Sequence, residues 1–134
     1  MATKTWDGPV SPVEAVMDAK ARAAILALAW EALEDEGGEY DLAADALDRQ
    51  CATAERSGRI DDAEACRIAA GHLRYEIAES LDLACRIARS IARLRPDWTY
   101  ADAQAAAKRN FEYQVNPAAC RDAYLRTWRE VRGD

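Results

Sequence analysis

The residues that break helices are few in this chain, and they lie at a handful of positions. Of 134 residues only six are glycine and four are proline, whereas alanine is the dominant apolar residue. No segment alternates β-branched and polar residues between turn signals, as a half-buried strand would. The sequence therefore predicts an all-α fold, in which the helix breakers separate about five helices.

Helix boundaries are marked by capping residues and by glycine or proline. Ser11 and Glu14 match a capping box with Pro12 at the first helical position, which predicts a helix that starts there. That helix is expected to end near Glu36, before a glycine pair that can adopt the positive φ of a C-terminal cap. Equivalent signals predict four more helices, which run from Tyr40 or Asp41 to about Arg56, from Asp61 to about Leu94, from Thr99 to about Tyr113 and from Asn116 to about Val131.

The longest predicted helix, at about 61–94, is expected to form the centre of a compact bundle. Its apolar residues recur at steps of three and four, and so do those of the first helix. The two apolar stripes, which should pack together, are Ala70, Leu73, Ile77, Leu81, Ala84, Ala88 and Ile91 on the long helix and Val16, Ala19, Ala23, Leu26, Trp30 and Leu33 on the first. Gly71 interrupts the long helix, and two explanations are open: close approach of another helix, or a kink beside His72. A single helical domain is expected over residues 1–134, with residues 1–10 irregular.

The charge and the cysteines limit the classes of partner and compartment. A formal net charge of -6 disfavours general binding to nucleic acid or to an anionic membrane surface, because both would repel the protein. The apolar run from Ala23 to Trp30 is too short to cross a bilayer, and the first residues lack the apolar segment of a signal peptide. The four cysteines are Cys51, Cys66, Cys85 and Cys120. Their spacing does not match that of a zinc-binding cysteine pair, and the sequence leaves their redox state open. We therefore expect a cytoplasmic protein with reduced thiols, no membrane association and basic proteins as partners.

No motif for catalysis, metal binding or cofactor binding is found. The chain has no HExxH, no glycine-rich phosphate loop and no EF-hand loop. His72 is the only histidine and has Glu76 one helical turn away, so this pair is the candidate for acid–base chemistry. One such pair at helical spacing is more often structural. We expect no enzymatic activity, no catalytic residue, no metal and no cofactor. Of the three hypotheses for the function of this protein, an enzyme that uses His72 with Glu76 comes third.

The segment from Glu31 to Asp48 carries eight carboxylates and no lysine or arginine. It covers the end of the first predicted helix, the glycine turn and the start of the second, so its charges should lie at one corner of the bundle. Carboxylates near the end of the first helix oppose its dipole, and the aspartates of the second form a ridge of like charge on one face. The partner-binding residues predicted here are Glu34, Asp35, Glu36, Glu39, Asp41, Asp45 and Asp48.

The two parts of the chain differ in the sign of their charge. Residues 1–83 carry a net charge of -10, whereas residues 84–134 carry one of +4. Arg86, Arg89 and Arg93 recur along one side of the long helix and form a predicted secondary basic face. Whether the acidic and basic faces act at one site or at two is left open.

These patterns favour two functions. The first is a non-enzymatic binding module, an acidic inhibitor or decoy that imitates nucleic acid and engages a basic groove of a nucleic-acid-handling protein. Acidic helical inhibitors of phages and mobile elements, including anti-restriction and anti-CRISPR proteins, have this general character. The alternative is a self-associating structural or assembly protein of a phage or mobile element, for example a homodimer, in which opposite charges and exposed aromatics bring copies together.

Overall fold

Five α-helices and one short 3-10 helix make up the fold in the computed structural model, which describes residues 11–112 and 115–133. The helices are α1 (Ala19–Asp35), α2 (Tyr40–Arg56), α3 (Ile60–Leu94), α4 (Tyr100–Asn110) and α5 (Pro117–Arg132), and the 3-10 helix spans Pro12–Ala15. The predicted all-α class, the five helices and the long third helix are confirmed. Within the described ranges no helix is both long and apolar enough to span a membrane. The predictions for residues 1–10 and for Tyr113 lie outside the described residues.

The first α-helix begins later than predicted. The Ser11 hydroxyl accepts from the Val13 amide at 3.4 Å, rather than from Glu14, and it caps the 3-10 helix instead of α1. The cap of α1 is Asp18, whose carboxylate accepts from the Lys20 amide at 3.1 Å. The prediction was wrong because two capping signals follow each other closely, and a serine cap with proline suits a single 3-10 turn as well as an α-helix.

The other boundaries agree closely with the capping signals. Gly37 and Gly38 both adopt positive φ, at 64° and 83°, and end α1 as predicted. Thr99 and Asp102 form the reciprocal capping box that begins α4, which ends at Asn110. Asp61 lies inside the first turn of α3 rather than at its start, because the helix already begins at Ile60.

The described residues pack as two units, 11–77 and 78–133, and the division falls within α3. In the first unit α1 packs against α2, and both share a core with the first half of α3. In the second unit α4 packs against α5, and both share a core with the second half of α3. The single domain expected over residues 1–134 stays a prediction.

The buried face of α1 differs from the predicted one. Its core positions are Ile25, Ala29, Ala32 and Leu33, whereas Ala19 and Ala23 are exposed and Trp30 is 59% exposed. The helix is apolar almost all round, so periodicity did not select a face, and packing against α2 did. On α3 the predicted stripe is largely correct, with Ala70, Leu73, Ala84 and Ala88 buried and Ile77, Leu81 and Ile91 half-buried.

Gly71 allows close approach of the 3-10 helix to α3. A Cβ atom built on Gly71 would lie 2.7 Å from Cγ of Pro12, well inside van der Waals contact. Of the two explanations for this glycine, close approach is therefore the correct one, although the approaching element is Pro12 and not another α-helix. The Arg22 guanidinium donates from Nε to the Val16 carbonyl at 3.0 Å and also ties this segment to α1.

The Pro12–Gly71 contact predicts an unusual response to mutation. In a helix interior Gly→Ala normally stabilises by roughly 1 kcal/mol, but Gly71→Ala should lower the midpoint of urea unfolding because its Cβ collides with the proline ring. In a Pro12→Ala background the same change should raise the midpoint, since the ring is gone. If Gly71→Ala stabilises both backgrounds equally, the contact does not constrain this position.

Candidate functional site

The acidic corner consists of the carboxylates at the turn from α1 to α2, and the backbone of this turn is well defined. The Gly38 amide donates to the Leu33 carbonyl at 2.7 Å, and the Glu36 amide donates to the Ala32 carbonyl at 3.1 Å. Leu33 and Ala32 are core residues, so the turn is tied to the part of α1 that packs against α2. The corner therefore holds its carboxylates on a fixed backbone. Its members are Glu34, Asp35, Glu36 and Glu39.

The carboxylates of the acidic corner are accessible, and the described residues offer them no cation. Glu34, Asp35 and Glu39 are exposed and Glu36 is half-buried, and none of the four makes an ion pair with a described residue. Glu39 is the N-cap residue of α2, but its side chain makes no capping hydrogen bond. Glu34 and Asp35 lie in the last turn of α1, which contains no basic residue. Their charges oppose the helix dipole without local compensation.

The aspartate ridge on α2 is different, because Arg74 of α3 neutralises part of it. The Arg74 guanidinium donates from Nη2 to Asp48 at 2.5 Å and to Asp45 at 3.2 Å. The hydrogen bond to Asp48 raises the pKa of Arg74 above its already high usual value, so the guanidinium carries its positive charge at neutral pH. Asp41, the third member of the predicted ridge, is exposed in the first turn of α2. The ridge thus presents less net negative charge than its sequence indicates, and Arg74 was missed because it lies 26 residues beyond Asp48.

The predicted secondary basic face lies in the second unit. Arg89 and Arg93 are exposed on α3, whereas Arg86 donates from Nε to Asp82 one turn away, at 2.7 Å. The separation of charge follows the division into units. Residues 11–77 contain 15 acidic and 7 basic side chains, a net charge of -8, and the described residues of 78–133 contain 7 acidic and 10 basic, a net charge of +3. The acidic and basic faces therefore belong to different units.

His72 lies between a serine and a glutamate. The Ser11 Oγ is 2.9 Å from His72 Nδ1, and Glu76 Oε1 is 3.6 Å from Nε2. The Ser11 hydroxyl, which also accepts from the Val13 amide, thus holds one ring nitrogen of His72, while the other faces Glu76. Tyr40 lines a cavity of about 60 Å³ together with His72 and Glu76. Burial and the nearby Glu76 carboxylate raise the pKa of Tyr40.

These contacts favour a structural role for His72. A serine nucleophile must reach its substrate, yet Ser11 is only 4% exposed and also caps the 3-10 helix. The hydrogen bond joins that helix to α3 next to the contact of Pro12 with Gly71. Sequence reasoning found the Glu76 partner through its helical spacing but missed Ser11, which is 61 residues away.

The cysteines are free thiols and mostly buried. Cys51, Cys66 and Cys120 are buried and Cys85 is half-buried. Burial raises the pKa of the Cys66 and Cys120 thiols, so both are uncharged at neutral pH. Within the described part of the chain no group of three or more histidine, cysteine or carboxylate residues is placed to hold a metal ion.

The hydrogen bond between Ser11 and His72 predicts energetic coupling. Ser11→Ala and His72→Ala should each lower the free energy of unfolding, and the double variant should lose roughly 1 kcal/mol less than the sum of the single losses. Urea unfolding of the four proteins measures this coupling. Ser90→Ala, at an exposed serine on the same helix as His72, is the control and should not lower the free energy of unfolding. Additive losses would show that the two side chains act independently.

Comparisons with protein-family models, curated proteins and solved structures find no match to this chain. The candidate site is therefore interpreted from the chemistry of its own residues.

Proposed function

We propose that this protein is a non-enzymatic binding module, an acidic inhibitor or decoy that engages the basic groove of a nucleic-acid-handling protein. The observation that carries the proposal is the acidic corner: four carboxylates on a fixed helix–helix turn, without a cation among the described residues. A nucleic-acid-binding groove presents lysine and arginine side chains at the spacing of phosphates. Unpaired carboxylates on a hydrogen-bonded turn can occupy such a groove and exclude nucleic acid.

The structure supports a division of roles within the predicted acidic surface. Carboxylates that already have an intramolecular arginine lose part of that pairing when they bind a second cation, so their gain on binding is smaller. Asp45 and Asp48 are in this situation, because both contact Arg74. Glu34, Asp35 and Glu39 have no such competitor among the described residues. We therefore expect the acidic corner to contribute more binding free energy than the aspartate ridge.

This order of contributions can be measured with three variants that each remove three charges. The corner variant carries Glu34→Gln, Asp35→Asn and Glu39→Gln, and the ridge variant carries Asp41→Asn, Asp45→Asn and Asp48→Asn. The control variant carries Asp61→Asn, Glu64→Gln and Glu112→Gln, at exposed positions elsewhere. Each is used as bait in lysate of the source organism at low salt, and bound protein is eluted with stepwise NaCl. The corner variant should lose the partner and the ridge variant should release it at lower salt, while the control matches the natural sequence.

Two further observations test the proposal: the identity of the captured protein and its displacement by duplex DNA. The partner should be a basic nucleic-acid-binding protein, and added duplex DNA should displace it from the natural sequence. If all three variants retain the same protein with the same salt profile, the acidic corner is not the binding surface.

A second candidate function is self-association, which the separation of charge between the units favours. Residues 11–77 are net negative and residues 78–133 net positive, so the corner of one copy can attract the basic unit of another. Lys108 and Arg126 are exposed on α4 and α5 and border two shallow clefts. The aromatic residues expected from the sequence to supply the apolar centre of such an interface are Trp6, Trp98, Tyr100, Tyr113, Tyr124 and Trp128. Of these, Trp98 and Tyr100 are half-buried, Tyr124 and Trp128 are buried, and Trp6 and Tyr113 lie outside the described residues.

Sedimentation velocity separates self-association from binding of a foreign protein. If copies associate through opposite charges, the sedimentation coefficient should rise with protein concentration at low salt and not at high salt. Charge reversal by Lys108→Glu with Arg126→Glu should abolish the rise, and mixing this variant with Glu34→Lys, Asp35→Lys should restore it. A monomer at every concentration would rule out self-association.

A further inference from the structure

A groove of about 490 Å³ lies between α1, α2 and the start of α3 in the first unit. This volume lies within the usual range for small-molecule sites, about 300–1,000 Å³. Its lining residues are Leu28 on α1, Ala46, Arg49, Gln50, Thr53 and Ala54 on α2, and Arg59, Asp62 and Cys66 at the start of α3. None of the acidic-corner residues lines it, so the groove is separate from the proposed protein-binding surface.

Arg49 stands out among the arginines of residues 11–77. The other five each donate to a protein acceptor: Arg22 to Val16, Arg56 to Thr53, Arg59 to Asp62, Arg67 to Glu55 and Glu64, and Arg74 to Asp45 and Asp48. The Arg49 carbonyl accepts from the Thr53 hydroxyl at 3.0 Å, but the exposed Arg49 side chain makes no hydrogen bond or ion pair with the described residues, although 15 carboxylates belong to this unit. Arg49 lines the groove, and no described residue uses the donors of its guanidinium.

The floor of the groove is apolar. Leu28 and Ala46 are half-buried, and Ala54 and Cys66 are buried. Burial raises the pKa of the Cys66 thiol, so at neutral pH the sulfur is uncharged and adds to the apolar surface. The Cys66 thiol lies 3.9 Å from Oε1 of Gln50, which leaves the amide group of Gln50 as a further donor at the rim.

We propose that this groove binds a small organic anion, with its anionic group on Arg49 and its apolar body on the floor formed by Leu28, Ala46 and Ala54. A guanidinium binds a carboxylate or a phosphate through two parallel hydrogen bonds, which suits the free arginine at the rim. The net charge of -8 on this unit repels polyanions, so the ligand carries one or two charges rather than many.

The probe for this site is 8-anilinonaphthalene-1-sulfonate, which joins one sulfonate to an apolar aromatic body and fluoresces on transfer from water. Titration of the folded, full-length chain should show saturable binding of one probe per chain. Arg49→Ala should weaken binding roughly tenfold or more, because a charge-assisted hydrogen bond is lost. Arg56→Ala, on the same helix but outside the groove, is the matched control and should leave the dissociation constant unchanged. Circular-dichroism melting establishes that both variants remain folded.

A neutral analogue tests the role of the charge separately. N-phenyl-1-naphthylamine lacks the sulfonate, so its weaker binding should be the same in the natural sequence and in Arg49→Ala. Decanoate and decyl phosphate should each displace the sulfonate probe, and the better competitor identifies the preferred anionic group. If the sulfonate probe binds Arg49→Ala as tightly as the natural sequence, or fails to bind at all, the proposal is wrong.

Discussion

Packing of alanine against alanine is the constraint on which the structure depends. Among the described residues, 15 of the 26 buried apolar side chains are alanine. A methyl group removes little apolar area from water, so such a core gains enough stabilisation only when helix backbones approach closely. The contact between Pro12 and Gly71 is the most extreme case, because the approach is so close that no Cβ is accommodated. Larger side chains, chiefly Tyr124 and Trp128, complete the core of the second unit.

Close packing of short side chains leaves the charged residues near one another at the surface. Where α2 and α3 share a core, Arg74 reaches two aspartates of α2 across the helix pair. At the turn after α1, neither Glu34 nor Asp35 makes an ion pair with an arginine of the described residues. The distinction between a partly neutralised ridge and an uncompensated corner therefore comes from helix packing. Helix packing also explains why the segment from Glu31 to Asp48, whose charged residues are all acidic, contains both paired and unpaired carboxylates in the folded protein.

The same packing explains the free guanidinium of Arg49. Arg49 and Asp48 are neighbours in sequence but point to different sides of α2, because successive residues of a helix are rotated by about 100°. Asp48 faces Arg74, whereas Arg49 faces the groove beside Arg59 and Asp62. Since Asp62 already accepts from Arg59, the groove has more donors than acceptors. A cation in an acidic unit is thus left for a ligand.

Local signals in the sequence predicted the helices well, and they failed where two signals competed. The capping box at Thr99 and Asp102 and the positive φ of Gly37 were predicted, since each depends only on residues within one turn. The start of α1 was wrong because Ser11 and Asp18 both resemble caps, and only the contacts of the 3-10 helix decide between them. The buried face of α1 was wrong because the helix is apolar on almost every side.

The sequence alone determined the all-α class, the helix boundaries to within a few residues except at the start of α1, and the opposite charges of the two parts of the chain. These properties depend on capping, on periodicity and on composition, all of which are local or additive. Tertiary structure decided which aspartates pair with Arg74, that Ser11 contacts His72, and which arginine of residues 11–77 has no side-chain partner among the described residues. These outcomes depend on side chains that are far apart in the chain, such as Ser11 and His72, or Asp45 and Arg74. Such pairs form only when packing brings two helices together, and no spacing in the sequence encodes them.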